Sequence, residues 1–181
     1  MNRILYSATM SLDGFIAGAG GDMSWLTEHL GDPEPDPVAD GLMARIGALL
    51  IGNTTYGGDD PNAGTDKEGA FGGQWSGPSI VLTHEPDRSA PDTTFLGDFD
   101  EAVAAAREAA GGAYVNVLGA DVARQCIEAG VLDEVLVFVA PVMLGDGVRL
   151  FDHPGGTNVR LEPLGRPGSG RSPALWFRVV R

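Results

Sequence analysis

The sequence has little cysteine and no long hydrophobic run, and each shortage excludes a class of protein. Cys126 is the single cysteine in 181 residues, which excludes an intrachain disulfide and a cysteine-based metal cluster. His29 and His153 have no ligand-like neighbours in the sequence, so we expect no metal site. No apolar stretch is long enough to span a bilayer, and the N-terminus lacks the apolar core of a signal peptide. We therefore expect a cytoplasmic protein with no membrane partner.

Positive charge is also scarce. The 12 Lys and Arg residues stand against 25 Asp and Glu residues, which gives a formal net charge of −13, and the basic residues do not cluster. A nucleic-acid binder needs a positive surface to displace counterions from phosphates, so we expect no nucleic-acid partner. An anionic ligand would have to be held locally, by backbone N–H groups and a few side chains.

Apolar residues make up 43% of the chain, as in a globular protein, and its length predicts a single domain over residues 1–181. Helix starts are predicted at Asp36-Pro37, where Val38, Leu42 and Ile46 form one stripe, and at Asp98, with Glu101 in a capping-box position. A third helix carries Val122, Cys126 and Ala129 and ends at Gly130. Strands are predicted at Arg3–Met10, Ala48–Ile51, Ser79–Thr83, Tyr114–Leu118, Glu134–Ala140 and Ala174–Val180. This alternation predicts an α/β fold with a mostly parallel central sheet and helices on both faces.

Two segments lack a regular pattern. Gly57–Gly77 contains seven glycines, and such a long loop in a compact domain is usually functional or mobile. Gly165–Pro173 is interpreted as a flexible hairpin connection.

Ligands of open α/β sheets bind beyond the carboxyl ends of the strands, and three small or hydroxyl-rich segments follow predicted strands there. These are Gly52–Tyr56, Thr83-His84 and Gly119–Asp121. A helix that begins after Gly119 would aim free N–H groups at a pyrophosphate, and Thr54, Thr55 and Thr83 would add hydroxyl donors. A glycine after a strand is also the ordinary residue of a tight turn, and neither a Walker loop nor a Gly-x-Gly-x-x-Gly motif is present.

Several segments, in order along the chain, resemble the dihydrofolate-reductase-like family, and most closely its branch with the reductase domain of riboflavin biosynthesis. The first are Ser11-Leu12-Asp13-Gly14-Phe15-Ile16-Ala17 and Gly21-Asp22-Met23-Ser24-Trp25-Leu26. Leu50–Tyr56 is similar to the branch's Gly-Arg-x-Thr-Tyr segment, and Val117-Leu118-Gly119-Ala120 to its Gly-Gly turn. Residues 130–135, 140–147 and 150–151 are similar to its C-terminal signature.

The resemblance implies a three-layer sandwich that binds NADPH, with NADH as a possible substitute, and that reduces a pterin-like or pyrimidine-like ring of the riboflavin-precursor type. Carried onto this sequence, it implies three groups of cofactor contacts. The adenosine and pyrophosphate half is assigned to Gly52, Asn53, Thr54, Thr55, Thr83 and His84. The pyrophosphate turn is assigned to Gly119, Ala120, Asp121 and Val122. The nicotinamide is assigned to Ser7, Ala8 and Ile16.

The resemblance also implies a substrate pocket bordered by Trp25, Asp13 and the Gly57–Gly77 loop, and a homodimer. Asp13 and Asp60 are the candidate catalytic carboxylates, with water as the alternative proton source. Each also has a simpler interpretation, since Asp13 could form only a turn, Asp60 only a solvated loop and Trp25 only part of the core. The segment Val135–Leu144 is a candidate for the dimer contact or for the central core.

Two departures from the family pattern leave alternatives open. Asn53 stands where the branch has the arginine that would grip a 2′-phosphate, and His84 or Arg88 is a candidate replacement. Ala120 stands where the second glycine is expected, and its methyl group would crowd a phosphate. A flavin or deazaflavin on the same scaffold, or a nucleotide-binding protein without this chemistry, is therefore the alternative to a nicotinamide-dependent reductase.

Overall fold

The computed structural model describes residues 2–30, 37–165 and 173–181, which form strands and helices in alternation. The strands are β1 (Ile4–Ser11), β2 (Phe15–Ala17), β3 (Ile46–Gly52), β4 (Ser79–Leu82), β5 (Thr93–Leu96), β6 (Tyr114–Leu118), β7 (Glu134–Ala140), β8 (Val148–Arg149), β9 (Leu161–Pro163) and β10 (Ala174–Val179). The helices are α1 (Ser24–Leu30), α2 (Pro37–Met43), α3 (Asn53–Tyr56), α4 (Phe99–Ala109) and α5 (Ala120–Glu128).

Eight strands form one sheet in the order β5-β4-β3-β6-β1-β7-β10-β9, and β2 pairs with β8 in a separate ribbon. The six strands from β5 to β7 run parallel, whereas β10 is antiparallel to both β7 and β9. The carboxyl ends of the parallel strands therefore lie along one edge of the sheet, called here the carboxyl edge. The opposite edge, where these strands begin, is the amino edge.

Apolar side chains alternate between the two faces of the sheet, so each face builds its own core. One core packs β1, β3 and β6 against α4 and α5, and includes the fully buried Val115 and Val117. The other contains Leu5 and Leu49 from the strands and Leu42 from α2. Burying one such side chain contributes about 1.5–3 kcal/mol, which explains why both faces are covered. The predicted α/β class, with helices on both faces of a mostly parallel sheet, is confirmed.

The longer elements follow their sequence signals. β6 and β7 have the predicted bounds, and α4 has the predicted cap, because Asp98 Oδ1 accepts the Glu101 N–H at 2.9 Å. Gly57–Gly77 contains no helix or strand, as predicted.

One helix prediction was wrong at its end. α2 stops at Met43 and Ile46 opens β3, so Ile46 does not belong to the helical stripe. Asp36 and most of Gly165–Pro173 lie outside the described residues. The short elements α1, α3, β2, β5, β8 and β9 were not predicted.

The segment Val135–Leu144 belongs largely to the core. Its strand, β7, pairs with β1 on one side and β10 on the other, and Leu136, Val137 and Ala140 are buried. Met143, in contrast, is 70% exposed. The homodimer stays a prediction. Within the described ranges, no helix has the length and apolarity needed to cross a membrane.

Candidate active site at the carboxyl edge

The chain reverses its direction of travel across the sheet between β3 and β6. After β3 it moves outward to β4, whereas after β6 it passes β1 to reach β7. Such a reversal opens a crevice at the carboxyl edge, where open α/β sheets bind their ligands. The two segments that leave the crevice are α3, which follows Gly52, and α5, which follows Gly119. The structure thus brings two of the three predicted glycine-rich and hydroxyl-rich segments together.

Gly119 is the tightest point of this crevice. Its φ is +107°, a conformation that side-chain-bearing residues rarely adopt, and a Cβ there would lie 2.5 Å from Thr55 Oγ1. Gly119 is also the N-cap of α5 and supplies no capping side chain. The first N–H groups of α5 have no acceptor within the helix, so they face the crevice as donors for an anion.

Asp121 places a carboxylate in the first turn of α5, where a phosphate is expected. Its oxygens accept hydrogen bonds from Arg124 at 2.5 Å and from Gln125 at 2.8 Å. The bond from Arg124 lowers the pKa of Asp121 below its ordinary value, so the carboxylate stays ionised but is paired on the helix surface. Val122 is 1% exposed and packs into the core. Ala120, Asp121 and Val122 can therefore serve a phosphate through their backbone only.

A polar cluster lies beside the crevice at the end of β4. Asn53 Oδ1 accepts from Thr83 Oγ1 at 3.2 Å and from Arg88 Nη1 at 2.8 Å. Thr83 is 4% exposed and its hydroxyl also accepts the Glu85 N–H at 3.1 Å, so it orients Asn53 rather than facing solvent. His84 is exposed next to it. Thr54 and Thr55 are exposed on α3.

The predicted nicotinamide residues lie on the next strands. Ser7 is 7% exposed on β1, and its hydroxyl has no partner within the described part of the chain. Ala8 follows it on the opposite face of β1, packed against the core of α4 and α5, and Ile16 is half-buried on β2. Trp25 is 6% exposed, and its indole N–H finds no acceptor among the described residues. Buried indole N–H groups usually have a partner, so this donor is available to a bound molecule.

Asp13 joins two loops through hydrogen bonds to its carboxylate. Its Oδ1 accepts from Ser11 Oγ at 2.6 Å and from the Leu144 N–H at 3.1 Å, while Oδ2 accepts from the Gly145 N–H at 2.7 Å. The Ser11 hydroxyl first, and then these backbone donors, lower the pKa of Asp13 to about 2. A carboxyl group with this pKa is ionised at neutral pH and is a poor proton donor there.

Asp60 organises its own loop. Its Oδ1 accepts the Asn62 N–H at 2.8 Å and its Oδ2 accepts the Gly69 N–H at 2.7 Å. The neighbouring Asp59 accepts the Met23 N–H at 3.2 Å, which joins the start of this loop to the segment before α1. The start of the loop therefore lies beside the segment that leads into α1, which carries Trp25, whereas Asp60 itself is engaged within the loop.

Two surface clefts lie away from this region. One, of about 500 Å³, is formed by the start of β3 and the end of the Gly57–Gly77 loop. The other, of about 350 Å³, is formed by the starts of β1 and β7 and the end of the chain. Both lie at the amino edge, so neither fits the position of a ligand that contacts Gly119.

The aromatic rings that pack against Arg88 in the polar cluster were not predicted from the sequence. The Arg88 guanidinium carbon lies 4.8 Å from the Phe95 ring centre and 5.5 Å from that of Tyr56, and these rings meet edge to face. Phe95 lies on β5, which was not predicted. The run Thr93–Leu96 is rich in strand-forming residues and was the available signal, but it is only four residues long.

Comparison with known proteins identifies the family of the chain. The sequence model of the RibD C-terminal domain matches residues 2–167. Riboflavin biosynthesis protein RibD of Haemophilus influenzae is 26% identical over 77% of this chain, and the chain spans 47% of that protein. The uncharacterized protein YwjB of Bacillus subtilis is 29% identical over 82% of this chain and 81% of its own length.

Solved structures show the same fold. A Shewanella sp. PV-4 protein assigned to riboflavin biosynthesis has a TM-score of 0.75 at 19% identity, with 99% of both chains covered. The Saccharomyces cerevisiae riboflavin biosynthesis reductase Rib7 has a TM-score of 0.65 at 17% identity, covering 99% of this chain and 90% of that one. By its sequence match over residues 2–167, and with this fold, the chain belongs to the RibD C-terminal domain family.

Proposed function

We propose that this protein is a reductase that uses NADPH or NADH and acts on a flat heteroaromatic ring of the pyrimidine or pterin kind, of the type found in riboflavin precursors. The observation that carries the proposal is the crevice at Gly119. A backbone at φ +107°, packed so closely that a Cβ would meet Thr55, together with the N-terminus of α5, fits a pyrophosphate held by N–H groups. The family membership supports the same cofactor class.

The family resemblance supplies the direction in which a dinucleotide would lie across this crevice. Gly52, Thr54 and Thr55 line one side of the pyrophosphate position and the start of α5 lines the other. The adenosine half then extends over Asn53 and Thr83 at the end of β4. The nicotinamide half extends toward β1, to Ser7, Ala8 and Ile16. Trp25 and the Gly57–Gly77 loop would border the substrate on that side.

The cofactor would supply a hydride equivalent when bound, so the protein has to hold two flat rings face to face and exclude water. Trp25 suits that task because it is buried and its indole N–H has no acceptor among the described residues, and Ser7 adds a hydroxyl group on β1. The reaction also needs a proton. Asp13 is held ionised by its three donors and Asp60 is engaged by two backbone N–H groups, so we propose that solvent water supplies the proton.

Titration of the purified protein with NADPH and with NADH tests the proposal, with quenching of tryptophan fluorescence as the readout. We expect at least one of the two dinucleotides to saturate the protein at a concentration on the order of micromolar. We also expect oxidation of the bound cofactor, read at 340 nm, when a 5-amino-6-ribosylaminouracil phosphate is added. Binding of neither dinucleotide would overturn the nicotinamide assignment. Binding without oxidation would instead favour a nucleotide-binding protein or another substrate.

A further inference from the structure

Arg88 is an exposed side chain that is nevertheless fixed in place. It reaches from the loop between β4 and β5 back over the end of β3, where its Nη1 donates to Asn53 Oδ1 at 2.8 Å. The rings of Phe95 and Tyr56 lie beneath its guanidinium group. Three contacts from two elements, α3 and β5, thus hold one surface arginine. Such preorganisation lowers the entropy that the side chain would lose on binding an anion.

No carboxylate neutralises this arginine. Within the described ranges, the ion pairs up to 4.0 Å that involve an arginine are made by Arg3, Arg124 and Arg181, and the nearby Glu85 and Asp87 make none with Arg88. The acceptor on Arg88 is instead a neutral amide. A guanidinium group has five N–H donors in a planar fork, so most of them stay open to a second partner. In a chain with a net charge of −13, this local arrangement suits an anion with several oxygens.

Thr83 explains why the amide presents its oxygen to Arg88. The Thr83 hydroxyl, itself buried, donates to the same Asn53 Oδ1 at 3.2 Å. Asn53 and Thr83 are therefore positioning residues for the guanidinium group. The family pattern has an arginine at the position of Asn53. In this chain the positive charge beside that position belongs to Arg88, 35 residues further along the sequence.

We propose that Arg88 binds the 2′-phosphate of the adenosine ribose and so makes the site select NADPH over NADH. This inference rests on the proposed function, because it uses the direction of the dinucleotide from Gly119 toward β4. Arg88 follows β4, which lies beyond β3 from the end of β6 and Gly119, so it is at the adenosine end of that path. The nicotinamide end, over β1, is on the opposite side of the crevice.

Calorimetric titration tests the proposal with NADPH, NADH and two fragments, 2′,5′-ADP and 5′-AMP, which need no turnover. Arg88→Gln is the test variant and Arg88→Lys the conservative one. Arg160→Gln is the matched control, because Arg160 is also exposed but precedes β9 at the far side of the sheet. We expect Arg88→Gln to weaken NADPH and 2′,5′-ADP by about tenfold or more, the scale of hydrogen bonds to charged groups. NADH and 5′-AMP should keep their affinities, Arg88→Lys should retain part of the preference, and Arg160→Gln should match the wild type.

Each other outcome overturns the inference in a recognisable way. Equal affinity of the wild type for NADPH and NADH, or an equal loss of both in Arg88→Gln, would remove Arg88 from the selection while leaving the proposed function intact. Binding of neither dinucleotide by the wild type would overturn both proposals together. Thermal unfolding of each variant shows that it is folded before titration.

Discussion

Among the residues that the structure describes, two arginines lie over pairs of aromatic rings, one at each edge of the parallel sheet. For both Arg45, at the amino edge, and Arg88, at the carboxyl edge, the guanidinium carbon lies 4.8 Å from one ring centre and 5.5 Å from a second. The local chemistry is therefore the same in both places. The difference lies in what accepts the arginine's hydrogen bonds.

At the amino edge the polar groups form a closed network around Glu134, which is 2% exposed. Its carboxylate accepts from Arg3 at 2.7 Å, from Trp176 Nε1 at 2.8 Å and from the Tyr114 hydroxyl at 3.0 Å. Arg45 donates to the same Tyr114 oxygen at 3.0 Å. Burial first, and then the Glu134 carboxylate, raise the pKa of Tyr114, so its phenol remains a donor. Three side chains thus satisfy the buried carboxylate, and Arg45 joins this network through the Tyr114 phenol.

At the carboxyl edge the acceptor is the neutral amide of Asn53, and the arginine keeps open donors. The start of α5 likewise keeps its N–H groups. The comparison teaches that a stacked arginine does not by itself identify a binding site. Arg45 donates to a phenol that is itself bonded to a buried carboxylate, which indicates a structural network, whereas Arg88 donates to an amide beside the crevice, which suits recognition of an anion.

The largest expected effect comes from removing the anion at the amino edge. Glu134→Ala leaves a buried donor on Tyr114 and a half-buried one on Trp176 without their acceptor, and breaking a buried ion pair costs about 3–5 kcal/mol. Because the side chain of Arg3 is 58% exposed, we expect the lower end, about 3 kcal/mol in the free energy of unfolding. Urea denaturation measures this loss of stability.

The control variant Glu134→Gln keeps one acceptor, so it should lose less stability than Glu134→Ala. The nucleotide affinity of both folded variants should match that of the wild type. A loss of nucleotide affinity in either folded variant would show that the two edges are not independent.

The second prediction compares two glycines at opposite ends of β6. Gly119 has φ +107° at the carboxyl edge, and Gly112 has φ +100° at the amino edge, where a Cβ would have no neighbour within 4 Å. Alanine at either position should cost about 1–2 kcal/mol of stability through its backbone conformation. Only Gly119→Ala should also weaken NADPH, by about tenfold or more, because its methyl group meets Thr55 and disturbs the turn that presents the N–H donors.

Thermal unfolding and fluorescence titration of the two variants separate these effects. Equal nucleotide affinity in Gly119→Ala and Gly112→Ala would remove the Gly119 turn from the proposed site. A selective loss in Gly119→Ala would instead place the phosphate contacts at this end of β6.

The long strands and helices could be predicted from the sequence, but the difference between the two edges of the sheet could not. β6 and β7 were predictable because both are rich in apolar, strand-forming residues, and α4 because Asp98 and Glu101 form a recognisable cap. Ile46 was assigned to a helix because its spacing from Leu42 fits a helical repeat, although the chain already enters β3 there. Periodicity cannot separate these two cases at the end of a short helix.

The candidate site was predictable only as a set of segments. The three segments after β3, β4 and β6 were found because each follows a strand that the sequence indicates clearly. Sequence could name Arg88 as a possible replacement for a missing arginine, but not its contact with Asn53, because loop residues that meet in space leave no periodic signal. The buried Asn116 on β6 illustrates the same limit. Neither polar atom of its amide has a partner within the described residues, and nothing in its apolar strand context indicated this.

The smallest expected effect concerns Asp13, whose donors lie on both sides of a contact between two loops at the carboxyl edge. The folded state holds the pKa of Asp13 at about 2, below its ordinary value of 3.8, so the unfolded chain binds a proton first as pH falls. The stabilisation from Asp13 is therefore fully present above about pH 4 and is lost as the pH falls toward 2. Melting temperatures between pH 5 and 2 should fall more steeply for the wild type than for Asp13→Asn. The difference should be slight because the carboxylate is solvent-screened. If Asp13 also only positions the loops, the pH profile of kcat for Asp13→Asn should keep the wild-type shape between pH 6 and 8, whatever its amplitude. Loss of one limb of that profile would instead identify Asp13 as the proton donor, and would show that the carboxyl edge raises this pKa once substrate is bound.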